Sequence, residues 1–76
     1  MPYMPLPPDS FLHHLELSVH GGRKRWRDRD RKRLYEWDGL HGEVEIYNDR
    51  GRHLGAADPL TGQLTKDAVK GRRVDV

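Results

Sequence analysis

The sequence predicts an α+β domain, an N-terminal helix followed by a small, highly twisted antiparallel β-sheet. Two observations carry this expectation. Phe11, Leu15 and Val19 recur at intervals of four, which lines them along one side of a helix, and Gly21-Gly22 follows as a stop. From Arg23 onward, short alternating apolar and polar runs are separated by turn-forming clusters, the pattern of successive hairpins. A chain of 76 residues has room for one domain, and an apolar content of only 34% leaves it a thin core.

Residues 1–9 hold four of the five prolines and read as an extended arm, since proline fixes its own φ and lacks a donor. Residues 10–76 form the single domain. Asp9 or Ser10 is placed to cap the helix. Leu15, Leu17 and Val19 also alternate with Glu16 and Ser18, so a strand competes with the helix over the same residues. His13 and His14 do not share a helix face, and with His20 they offer no third ligand at a sensible spacing for a metal.

Beyond Arg23, Arg25-Trp26-Arg27 reads as a short strand, Asp28-Arg29-Asp30 as a turn and residues 32–38 as the returning strand. Trp26, Tyr35 and Trp37 suit a half-buried pleated surface. Trp26 can also stack on a base, although a thin core needs its large side chains. Asn48-Asp49-Arg50-Gly51 is a turn joining residues 43–48 to residues 52–56, and Asp58-Pro59-Leu60-Thr61-Gly62 is another. Residues 70–74 read as a last strand that returns the terminal arginines to the sheet.

The formal charge is only +2, but its distribution is uneven. Residues 23–33 carry eight cations, and Lys70, Arg72 and Arg73 form a second basic group. Arg23, Lys24, Arg25, Arg27, Arg33, Lys70 and Arg73 are candidate contacts to an RNA backbone. Lysine and arginine on a solvated edge strand would give the same pattern without any ligand. The absence of cysteine excludes disulfides and thiolate metal sites. No stretch is long and apolar enough to span a bilayer, and the N-terminus lacks the cationic lead and apolar segment of a secretory signal.

The residues with chemical potential converge on Tyr35-Glu36-Trp37-Asp38-Gly39-Leu40-His41-Gly42-Glu43-Val44-Glu45. Strand alternation puts Glu43, Glu45 and Tyr47 on one face and Val44 and Ile46 on the other. His41 lies in the turn, within reach of Asp38 or Glu45, an arrangement suited to general acid–base chemistry. The same residues also fit the ordinary polar face of an antiparallel strand.

Five segments in this order, Lys24-Arg25-Trp26, Arg33-Leu34-Tyr35-Glu36-Trp37-Asp38, His41-Gly42-Glu43-Val44-Glu45, Gly51-Arg52-His53-Leu54-Gly55 and Asp58-Pro59-Leu60-Thr61-Gly62, favour the first of these readings. The succession resembles the cytotoxic ribonuclease domain of the E-type colicins that cleave 16S ribosomal RNA. It covers about two-thirds of the chain, from Arg23 toward the C-terminus. The resemblance implies a helix ahead of the sheet and catalytic positions at Asp38, His41, Glu45 and an arginine of the tail. Arg72 is chosen over Arg73, because neighbours in a strand face opposite ways. Glu45 would deprotonate the 2′-hydroxyl, charged His41 would protonate the departing 5′-oxygen, and Asp38 would hold the imidazole. The roles of Glu45 and His41 can also be exchanged. His53 matches a family histidine and is a secondary RNA contact.

The expected function is therefore cleavage of 16S rRNA in the 30S ribosomal subunit at the decoding site, leaving a 2′,3′-cyclic phosphate and halting translation. Neither metal nor cofactor is expected. The implied partner is an acidic immunity protein or antitoxin, and the implied site of action is the cytoplasm. Separate translocation and receptor domains do not fit in the chain, so it is either a free-standing toxin or an excised domain. The alternatives are a non-catalytic RNA- or ribosome-binding module and a protein-interaction domain.

Overall fold

The computed structural model describes residues 2–76. Six strands pair in sequence order into one antiparallel sheet: β1 (Glu16–His20), β2 (Arg23–Arg27), β3 (Arg33–Asp38), β4 (Glu43–Asn48), β5 (His53–Ala57) and β6 (Leu64–Asp67). No α-helix occurs among the described residues, which overturns the predicted α+β class. The only helical element among the described residues is a 3₁₀ turn, Phe11–His14.

The physical reason lies in Gly21-Gly22. Both residues have positive φ, +60° and +79°, as the two central positions of a tight hairpin require. Glycines read as a helix stop thus connect two strands, with His20 opposite Arg23 and Glu16 opposite Arg27. Pairing supplies the backbone of residues 16–20 with cross-strand partners, and the alternation of Leu15, Leu17 and Val19 prevails over their four-residue spacing. The Ser10 hydroxyl accepts from the Leu12 amide at 3.2 Å and starts the turn, which ends at Leu15 in extended conformation.

One face of the sheet carries the core. Trp26, Tyr35, Val44, Ile46 and Ala57 pack with Leu12, and Leu6, Phe11, Leu15, Trp37 and Leu54 close around them. The arm and the 3₁₀ turn therefore cover this apolar face. Phe11 meets Tyr35 edge to face at 5.7 Å between ring centroids, a geometry favoured by the ring quadrupoles.

The opposite face holds the polar residues of β2 to β5. Arg25 and Glu36 are buried there, with Nη2 3.0 Å from Oε2, and Arg25 Nη1 also donates to the Asp75 carbonyl at 2.7 Å. The C-terminal tail crosses this face without forming the predicted strand over residues 70–74. It makes one isolated bridge, Arg52 to Arg73, flanked by the bonds His53 N–H to Arg72 O and Val74 N–H to Gly51 O. Val69 O accepts from Arg72 N–H, so the backbone turns where a strand would run straight.

Candidate functional site

The site grows from the β3–β4 connection. Asp38 ends β3 opposite Glu43, and its carboxylate caps the loop by accepting from the Leu40 and His41 amides at 3.1 and 3.2 Å. Asp38 Oδ2 then meets the His41 ring at Nδ1, 2.8 Å away. That leaves His41 Nε2 as the outward nitrogen of an exposed ring. Burial raises the Asp38 carboxyl, but the bonds from the His41 ring and the two amides outweigh it and hold the group below its ordinary range. Stability from a depressed carboxylate is fully present above its unfolded value, about 3.9, and is lost as pH falls through its folded value. Asp38→Asn is accordingly expected to melt below wild type at neutral pH, with the gap narrowing under about pH 4 in thermal scans.

Glu45 lies on β4 with its side chain on the polar face, and it is buried. His53 Nε2 and Arg72 Nη1 approach the same oxygen, Oε1, at 2.8 and 3.2 Å. The Val69 amide donates to His53 Nδ1 at 2.8 Å, so Nδ1 is the acceptor and Nε2 carries the proton given to Glu45. Among the described residues Glu45 Oε2 has no hydrogen-bond partner, which makes it the oxygen free to take a proton.

A β-bulge puts His53 there. Ile46 pairs with Gly55 but Tyr47 pairs with His53, which leaves Leu54 as the extra residue. Strict alternation would set His53 on the core face with Ala57; the bulge turns it onto the face of Glu45. Tyr47 lies beneath, its ring against His53 at 5.3 Å between centroids, and burial pushes its hydroxyl above the ordinary range.

Asp38, His41, Glu45 and Arg72 line one cleft of about 220 Å³ together with His53 and Lys66. A second groove on the same four residues adds Arg23, Arg73 and Tyr47. Of the other candidate cations, Lys24 is exposed on β2 and lines the groove next to these, whereas Arg33 and Lys70 are exposed outside the cleft. Arg27 is half-buried beside the Asp28–Arg31 turn. Arg25 is 3% exposed and committed to Glu36 and the tail, so its guanidinium is not on a solvent-facing surface. His53 is equally enclosed and meets Glu45 instead of solvent.

The sequence did not reveal the Glu43–Lys66 pair at 2.8 Å or the hold of His53 on Glu45. Folding the chain back at Asn48 and Gly51 was the one signal that could have brought His53 toward Tyr47. Asp38, His41 and Glu43 also offer ligand atoms within 4.8 Å of one another, a set able to hold a divalent cation.

The order of these residues along the chain has counterparts in known proteins. The family model described as Cytotoxic matches residues 14–75. Cloacin and Colicin E3, both from Escherichia coli, are each 49% identical over 55 residues, and Colicin-E6 from the same organism is 45% identical over the same length. Each alignment covers 71% of this chain and 10% of the relative, so the chain spans about a tenth of the length of the proteins it matches. With the matched span running from the end of the 3₁₀ turn through the tail that delivers Arg72, the chain belongs to the Cytotoxic family, the colicin E-type cytotoxic domain.

Proposed function

We propose that this domain is the ribonuclease of a bacterial toxin, a metal-independent endonuclease that cuts 16S rRNA at the decoding site and stops translation. The observation that carries the reading is the shared cleft in which a buried carboxylate, an aspartate-held imidazole and an arginine face one space. RNA brings its own nucleophile, so the protein must supply a base, an acid and positive charge for the phosphoryl oxygens. Glu45 Oε2 takes the 2′-hydroxyl proton while His53 and Arg72 hold Oε1. His41, protonated and donating from Nδ1 to Asp38, gives its Nε2 proton to the departing 5′-oxygen. Arg72 balances charge developing on the phosphate. The products are a 2′,3′-cyclic phosphate and a free 5′-hydroxyl.

A pure binding module would gain nothing from anions beside its phosphate site, because they oppose the polyanion. Incubation with intact ribosomes, followed by RNA electrophoresis, is the test. A discrete small-subunit fragment that forms with chelator present supports the proposal. Loss of the fragment on chelation would favour a cation held by Asp38, His41 and Glu43. Intact RNA under conditions of proven binding would favour the module.

Such a toxin acts in the cytoplasm, where ribosomes are, and the cell producing it needs an inhibitor. The exposed cations Arg23, Lys24 and Arg73 suit an acidic immunity protein or antitoxin whose association slows as salt rises. Neutralising Arg23 and Lys24 together is expected to weaken RNA binding and to reduce the salt slope by about 1.4–1.8, from roughly 0.7–0.9 per lost phosphate contact. An unchanged slope would remove these two side chains from the RNA face.

A further inference from the structure

The N-terminal arm lies outside the family match, yet it reaches the rim of the cleft. Met4 N–H donates to Gly39 O at 2.9 Å, and Met4 O accepts from Trp37 Nε1 at 2.8 Å. These two bonds fix the residue next to Tyr3. A Cβ on Gly39 would overlap the Tyr3 ring and approach Met4 O, so the arm sits in a slot that glycine leaves open. The rest of the Tyr3 ring faces solvent, with the residue 66% exposed.

Tyr3 stands between two spaces. It lines the catalytic groove with His41, Glu45 and Arg72, and it lines a larger groove of about 710 Å³ with Leu17, Trp37, Arg23 and Lys24. Arg23, Glu36 and Trp37 border both grooves, which makes them one continuous trough. The Glu36 charge is already met by Arg25, and Arg23 and Lys24 have no ion-pair partner among the described residues. An aromatic face, apolar walls and two free cations beside a phosphate-cleaving centre match the chemistry of a nucleotide in a single strand.

We infer that the trough between the arm and the β1–β3 part of the sheet is a nucleobase subsite for the RNA strand flanking the cleaved bond, with Tyr3 stacking on the base and Arg23, which borders both grooves, holding its phosphate. This rests on the ribonuclease reading of the adjoining cleft. The subsite thus joins an arm that precedes the matched span to Arg23 and Trp37 within it.

The test uses the full chain carrying Glu45→Gln, to prevent cleavage, and single-stranded RNA oligonucleotides of increasing length in fluorescence anisotropy. Affinity is expected to rise in a step of about tenfold when the strand becomes long enough to enter the trough. An abasic residue at that one position should remove the step, with no change to the protein. Adding Tyr3→Ala should remove it as well, and Tyr3→Phe should keep it. Equal affinity for abasic and intact strands overturns the subsite, as does a step that survives Tyr3→Ala. Cleavage of ribosomes by the wild-type chain with no such step refutes the subsite alone, whereas a step without cleavage refutes only the nuclease.

Discussion

Replacing Glu45 with glutamine is expected to slow RNA cleavage by about 10³-fold, within the range a general base contributes. The substitution keeps the shape of the side chain, and the amide oxygen can still accept from His53 and Arg72 at the position Oε1 holds now. What disappears is the basic Oε2. RNA affinity and melting temperature should therefore stay near wild type while single-turnover cleavage collapses. His41→Ala should bring a comparable loss by removing the acid. If both variants cut within a few-fold of the wild-type rate, the assignment of acid and base is wrong.

A second large effect concerns the other buried carboxylate. Glu36→Ala leaves the Arg25 guanidinium enclosed without its counter-ion, with its Nε already lacking a partner among the described residues. Breaking a buried pair from one side costs about 3–5 kcal/mol. For a domain of this size that corresponds to a fall of roughly 15–30 °C in Tm. Replacing both partners with apolar residues, Arg25→Met with Glu36→Leu, should recover most of the loss, because no uncompensated charge remains. A Glu36→Ala melt within a few degrees of wild type would show that the pair contributes little. The same geometry separates Arg25 from Arg23 and Lys24. Its loss should appear chiefly in stability, whereas theirs should appear in salt-dependent binding.

Much of the β3–β4 region was legible because its determinants are local. Alternation sends Val44 and Ile46 to one face and Glu43, Glu45 and Tyr47 to the other, and it does so whatever lies across the strand. Asp38, Gly39 and Gly42 are turn residues by their own chemistry, and the imidazole is only three residues from its carboxylate. At the N-terminus local rules conflict. Phe11, Leu15 and Val19 satisfy a helical spacing while Leu15, Leu17 and Val19 satisfy a strand, and only the presence of β2 as a pairing partner resolves it. The glycine pair was visible, but its positive φ angles serve a hairpin and not a helix end.

By itself, then, the sequence determined the family, the hairpin character of residues 23–62 and the place of His41 in a turn within reach of Asp38 or Glu45, since each depends on residue types a few positions apart. Only the tertiary structure decided that Arg25 is buried, that His53 faces Glu45, that Arg72 reaches Glu45 Oε1 and that the arm borders the cleft. The bulge at Leu54, the path of the tail and the seat of Tyr3 on Gly39 arise from pairing and packing between distant segments. No short-range pattern encodes such contacts; they exist once the sheet has closed around them.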